Sequence, residues 1–297
     1  KARTIGQEGL TVNIRVLWLG ALLPALAGAQ PSWQASAPIE TRLALFSAIR
    51  TANYPTAETL SQGDFHYEIS HRFLPPIDEG YKANFGFDGP ANIRTSLSYG
   101  LSDRLMATLG RSNMLDNLDL QLQYHWLQLP QERLPAVLAL NAGVAWNTDM
   151  PAIVDRNAAA ADNFQYYGQL IFNALLDEKL GIGLVPSYLY NSAVFSVDTQ
   201  YTFTLGTYVQ YYFDDMWGVW LEYSPTLTGY QGILLPGEAG RSHNSLAWGL
   251  SIDTGGHTFY IFATNNTRLS PAQYLVGAPD DAAPDNWRLG FGITRFL

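Results

Sequence analysis

The stretch ANIRTSLSYGLSDRLMATLGR, residues Ala91–Arg111, decides how the rest of the chain is read. Up to Leu101 it alternates: Ile93, Thr95, Leu97, Tyr99 and Leu101 fall on one face, and Asn92, Arg94, Ser96, Ser98 and Gly100 on the other. Ser102–Asp103 interrupts the run. Leu105, Ala107 and Leu109 then resume the apolar face opposite Arg104, Met106, Thr108 and Gly110. Successive side chains of a strand point to opposite sides, so the stretch predicts an antiparallel hairpin with one apolar and one polar face. Soluble sandwiches contain such hairpins too. Recurrence, strand length and the preceding sequence separate the two cases.

The pattern recurs in both directions. Upstream, Asp64–Phe73 sets Phe65, Tyr67, Ile69 and Phe73 against Asp64, His66, Glu68, Ser70 and Arg72. Downstream, Asn117–Gln128 sets Leu118, Leu120, Leu122, Tyr124 and Trp126 against Asp119, Gln121, Gln123 and His125. Further strands are predicted at Ala136–Trp146, Asn163–Leu176, Leu180–Tyr190, Gln200–Phe213, Trp217–Ser224, Ser242–Asp253, Thr258–Asn265 and Trp287–Leu297. Pro186 removes a ladder donor and predicts a bulge or local break. The total is about twelve strands. Links after the first, fifth, ninth and eleventh are long, and those after the second, sixth, eighth and tenth are tight. An even strand count with short turns at one end and long loops at the other predicts an all-β, antiparallel up-and-down transmembrane β-barrel of about twelve strands, over 64–297. Tyr99, Trp126, Tyr211 and Trp217 toward the tight turns, and Tyr188, Tyr190, Tyr201, Tyr223 and Trp287 toward the long loops, fit two interfacial belts.

Composition agrees. Only 14% of the 297 residues are charged while 47% are hydrophobic, against roughly 25% charged in an average soluble domain. A large periplasmic sandwich would need more charge on its outer faces. The absence of cysteine excludes disulfides, thiolate catalysis and Cys-ligated zinc. A net charge of −9 argues against nucleic acid as a partner.

The N-terminus has the layout of a secretory signal. Arg15 precedes the apolar run Val16–Ala27, and Ala27-Gly28-Ala29 fits a cleavage site before Gln30. The run is short for a membrane helix, which takes about 20 residues. Residues 1–29 are therefore expected to be removed on export, with Val12 fitting a start codon read as valine. Residues 30–63 read as an N-terminal extension, periplasmic or lumen-filling.

Two residue sets invite chemistry. His66, Glu68 and Arg72, with Asn92 and Arg94 on the next strand and Arg288 on the closing one, are expected to face the lumen. They would either line a selective constriction or fill the barrel as a salt-bridged network. Ser242-His243-Asn244-Ser245 places His243 and Ser245 on one strand face, a possible base and nucleophile, but with no oxyanion donor or orienter apparent. His71, His125 and His257 show no metal spacing, and the acidic run Asp280–Asp285 fits an exposed loop. No metal or cofactor is expected.

ISHRF (Ile69–Phe73), NIR (Asn92–Arg94), YGLSDRL (Tyr99–Leu105) and GRS (Gly110–Ser112) together resemble an uncharacterised bacterial family of predicted outer-membrane β-barrel proteins, most closely over Asp64–Gln128. QYHWLQ (Gln123–Gln128) resembles a family segment that usually carries lysine where Gln123 stands. The resemblance implies a barrel in the bacterial outer membrane and supplies no reaction or ligand. A terminal aromatic-rich strand ending Phe296-Leu297 resembles the signal read by barrel-assembly machinery. The functional expectations are a porin-like conduit for a small solute, a sealed barrel docking a partner through its long loops, and, third, an outer-membrane hydrolase. Lipid and the assembly machinery are the other partners expected.

Overall fold

In a computed structural model, residues 42–236 and 240–297 are described, and all belong to one unit, Arg42–Leu297. The expected signal peptide and residues 30–41 of the expected extension lie outside the described residues. Thirteen strand segments alternate up and down: β1 (Phe65–Pro76), β2 (Ala91–Ser102), β3 (Leu105–Ser112), β4 (Asn117–Leu129), β5 (Ala136–Asn147), β6 (Phe164–Leu176), β7 (Leu180–Tyr190), β8 (Tyr201–Tyr212), β9 (Trp217–Ser224), β10 (Thr226–Gly229), β11 (Ser245–Asp253), β12 (His257–Thr264) and β13 (Arg288–Phe296).

Each strand pairs antiparallel with its neighbours, and β1 pairs with β13, so the sheet closes on itself. β9 and β10 both pair with β8 and are two parts of one stave, broken at Pro225, which has no N–H to donate. The closed antiparallel barrel thus has twelve staves. The expected loop after Ser224 corrects to a four-residue strand segment in which Thr226, Thr228 and Gly229 pair with β8, with a register shift between Thr226 and Thr228. Pro186 does not make a bulge. It pairs with Leu205 of β8, while the β6 ladder skips from Gln169–Ser187 to Phe172–Leu184 without changing register.

Alternation sorts the two faces. Leu97, Leu109, Leu120, Leu122, Trp248 and Ile261 are exposed on the outside, whereas His66, Ser98, Asp119, Asn141, Asn173 and Glu222 are buried inside. Such a barrel, apolar outside and polar within, is stable only where its outer face meets lipid. Tyr99, Trp126, Tyr211 and Trp217, beside the tight turns, are exposed, as are Tyr188, Tyr190, Tyr201 and Tyr223 toward the other end. Among the described residues no helix is long and apolar enough to cross a membrane.

Candidate functional site

The lumen is the place to look for function, and its wall has two chemical sides. Across β4 to β7 it is lined by amides bonded to one another. Asn117 Nδ2 donates to Asn147 Oδ1 and Asn147 Nδ2 to Gln165 Oε1, each at 2.9 Å. A second row runs from Asn141 Nδ2 to Gln169 Oε1 at 2.9 Å, then from Gln169 Nε2 to Ser187 Oγ at 3.1 Å. The charged residues gather around β1, β2, β4 and β9. Arg94 and Asp119 pair at 2.9 Å with both side chains essentially buried.

Into this lumen, from the tight-turn end, runs the chain that precedes β1. Residues 51–60 are all buried. The segment doubles back as a hairpin: Thr51 N–H donates to Tyr54 O, Thr56 N–H to Ile49 O, and Arg50 bridges Pro55. It is tied to the wall at Gly63, whose N–H donates to Gly100 O at 2.9 Å. The tip, Thr51–Tyr54, sits on one carboxylate. Glu222 accepts from Thr51 Oγ1 at 2.6 Å, Asn53 Nδ2 at 2.5 Å, Asn53 N at 3.1 Å and Tyr54 N at 3.4 Å. From the other side Arg72 Nη2 donates to Ala52 O at 2.8 Å and Asn53 Oδ1 at 3.4 Å. Gln123 Nε2 donates to Thr56 O and Glu58 O, and Arg50 pairs with Glu68 at 3.5 Å. The Tyr54 hydroxyl bonds Ser224 Oγ, and its ring occupies the room left by Gly206, where any Cβ would collide with it.

From the opposite end, the chain between β12 and β13 also folds inward. Leu269, Ser270, Ala272, Tyr274, Leu275 and Val276 are buried. Wall groups bond its backbone: Thr204 Oγ1 donates to Leu275 O at 2.7 Å, Asn92 Nδ2 to Thr267 O at 2.9 Å and Gln165 Nε2 to Ala272 O at 3.4 Å. The two inserts meet where the Tyr54 and Tyr274 rings pack edge on, 5.1 Å between centroids. Between them and the wall lies a cavity of about 30 Å³, lined by Arg50, Asn53, Glu68, Gln123 and Tyr274 among others, room for about two waters.

The residues singled out in the sequence fall as follows. His66, Glu68, Arg72 and Arg94 are all buried and inward. Each faces a different partner: Phe296 beside His66, Arg50 on Glu68, the hairpin tip on Arg72 and Asp119 on Arg94. Asn92 holds the inward loop, and Arg288 pairs with Asp280 at 3.2 Å near the long-loop end. The six do not form one ring around an open constriction. His243 and Ser245 do not share a face, which corrects the expectation. β11 begins only at Ser245, because His243 is drawn into a two-bond bridge with Ala278; His243 is exposed while Ser245 is buried. Asp281 in the acidic run spends its Oδ1 on Ala283 N–H and Asn286 Nδ2. Among the described residues no His, Cys, Asp or Glu cluster could hold a metal. Glu222, Asn53, Tyr54 and Gln123 carry interior contacts, and none was among the site residues expected from sequence, although Gln123 was placed on the polar face of its strand. Glu222 was the detectable one, a lone carboxylate on the inward face of a strand.

Residues 46–297 match the family described as "Membrane bound beta barrel domain (DUF5777)". No match is found among curated proteins. Among solved structures, an outer membrane channel from Pseudomonas putida F1 is similar at a TM-score of 0.47 and 14% identity, covering 81% of this chain and 98% of that one. A NanC porin is similar at 0.45 and 10%, covering 79% and 99%. LpxR from Salmonella typhimurium is similar at 0.36 and 11%, covering 78% and 100%.

Proposed function

The chain belongs to the membrane bound beta barrel domain family, and from that premise we propose that it is a plugged channel for small polar solutes in the outer membrane of a Gram-negative bacterium. Residues 42–60 are the plug. Export by a signal peptide cleaved before Gln30, and insertion by the barrel-assembly machinery, belong to the same proposal. The even number of staves and the short turns at one end support that membrane.

One observation carries the reading. Some of the wall amides are bonded to each other, as in the row Asn141, Gln169 and Ser187, while Gln123 and Asn173 bond the plug itself. Withdrawing the plug leaves that row intact and opens Gln123 and Asn173 to water, so a hydrated passage forms without a buried polar group being orphaned. A barrel that only needed filling would lose nothing by apolar packing at those positions. The tight fit of plug, loop and wall favours the second reading, a sealed barrel that docks a partner through its long loops. The hydrolase reading has no assembled His–Ser pair to rest on.

Planar-bilayer recording separates the first two. The full chain is expected to stay closed most of the time and to show small, discrete steps, and Asn53→Ala is expected to lengthen the open periods. If both chains are silent while correctly folded and inserted, the channel reading fails and the docking barrel replaces it.

A further inference from the structure

The plug tip is gripped by two opposite charges, and the way they hold it describes what else they would hold. Asn53 presents its carboxamide lengthwise: Nδ2 donates to Glu222 and Oδ1 accepts from Arg72. The adjacent backbone repeats the arrangement, with Asn53 N–H on Glu222 and Ala52 O on Arg72. Every atom offered to Glu222 is a donor, and every atom offered to Arg72 is an acceptor. The site also holds unspent capacity. Arg72 Nε and Trp220 Nε1 are buried donors with no hydrogen-bond partner. Both groups lie against Phe262: Arg72 Cζ stands 4.4 Å over its ring, and the Trp220 ring packs on it at 5.2 Å.

We propose that Glu222 and Arg72 form a binding site for small α-amino acids, which compete with the plug tip for it. The inference rests on the plugged-channel reading and names its solute. An α-amino acid carries an ammonium and a carboxylate separated by little more than the N and O of the Asn53 amide. The ammonium replaces Asn53 Nδ2 at Glu222, and the carboxylate replaces Ala52 O and Asn53 Oδ1 at Arg72. Full charges strengthen both contacts relative to the neutral amide. A solute with one charge leaves the opposite wall group unpaired in a confined space, which disfavours it. Because the amino acid binds only when the tip is out, its binding shifts the plug toward the open arrangement.

The chain has no cysteine, so a single introduced thiol reports plug movement cleanly. Ala57, buried on the returning arm of the plug, donates its N–H to Asn173 Oδ1 rather than to Glu222. The full-length Ala57→Cys chain, reconstituted in phospholipid vesicles, is treated with an impermeant maleimide in the presence of glycine, glycinamide, N-acetylglycine or ribose. Glycine is expected to speed labelling by about tenfold, the least expected for exchanging charge-assisted hydrogen bonds, and the other three solutes by much less. Adding Glu222→Gln is expected to raise the basal rate and abolish the response to glycine. Asn53→Ala, made on the plug, raises the basal rate while leaving both wall groups in place, and keeps the test valid if Glu222→Gln does not fold. Equal effects from all four solutes, or none, in a chain that Asn53→Ala opens would overturn the amino-acid site alone. If the thiol stays protected in every folded variant, the plug does not move; the channel reading and this site then fall together.

Discussion

Residues 42–60 and 265–278 enter the same lumen from opposite ends, yet they are held differently. The loop is bounded on both sides by staves, β12 and β13, and the wall groups that bond it are neutral: Thr204, Asn92 and Gln165. The plug runs into β1 through Gly63 and is bonded along its length by neutral wall groups such as Gln123, Asn173 and Tyr208, but its tip is held by two charged ones, Glu222 and Arg72. Exchange of partners at the two charged groups would release the tip of the plug, whereas the loop, among the described residues, offers no charged wall contact of that kind. On the plugged-channel proposal, the same burial serves as a closure in one place and as lining in the other.

The largest expected effect checks that the wall stands apart from both inserts. Arg94→Ala leaves Asp119 buried without its partner, and breaking a buried pair typically costs about 3–5 kcal/mol. Denaturant unfolding of the barrel should register that loss, while labelling of Ala57→Cys in the still-folded chain stays slow. Fast labelling at unchanged barrel stability would mean that the pair holds the plug.

Next comes the contrast itself. Asn53→Ala removes one charge-assisted bond to Glu222 and one contact to Arg72, worth about 1.5–3 kcal/mol, and should open the plug by ten- to a hundred-fold on that scale. Gln273→Ala, which removes the donor bond from Gln273 Nε2 to Met114 O, should leave plug labelling unchanged. Equal responses from the two would erase the distinction between closure and lining. Gly206→Ala sharpens it from the wall side, because its Cβ collides with the Tyr54 ring without touching the loop. A displacement costing about 1–3 kcal/mol is expected, read as faster Ala57→Cys labelling.

The smallest effect is a pH dependence. Glu58, on the plug rather than on a stave, accepts Leu45 N–H at 2.7 Å and Phe46 N–H at 3.1 Å. Burial pushes its carboxyl up to about 7 from an ordinary 4.5, against the opposing pull of those two N–H groups and Arg42. A raised carboxyl favours the docked plug most at low pH, and the advantage is lost as pH rises from 4.5 through 7. Opening, measured by bilayer recording, should increase over that window, and Glu58→Gln should flatten the increase. A wild-type trace already flat across the window would remove Glu58 from the closure.

Much of the wall was legible. Period-two alternation in Ala91–Arg111 and Asn117–Gln128 placed most side chains on their face, and Arg94, Glu68 and Arg72 lie buried inside. The departures are Arg104, exposed in the turn, and the register shift that leaves Trp126 and Leu127 both exposed. The inserts were not legible, for a physical reason. A segment enclosed by barrel wall on all sides has no solvent face, so it shows no period, and residues 30–63 read only as an extension, periplasmic or lumen-filling. The link after Asn265 read only as a long loop, because its polar residues gave no sign that wall groups, rather than water, satisfy its backbone. The run Leu269, Tyr274, Leu275 and Val276 was the available signal, being more apolar than an exposed loop needs. Partners were the other gap. Alternation tells where Arg72 and Glu68 point, but not that Asn53 and Arg50 come from the preceding chain to meet them.

The loop lies between the two last strands, and β13 is also the strand that seals against β1. Its placement therefore has a consequence for the order of assembly. Until β13 finds β1, the wall is an open sheet and there is no interior for the loop to enter. The plug, preceding β1, must already lie on the concave side when the seam forms, or thread in afterwards through the tight-turn end. Loop insertion therefore cannot precede seam closure, and a chain severed between β12 and β13 would lose the link that ties the two together.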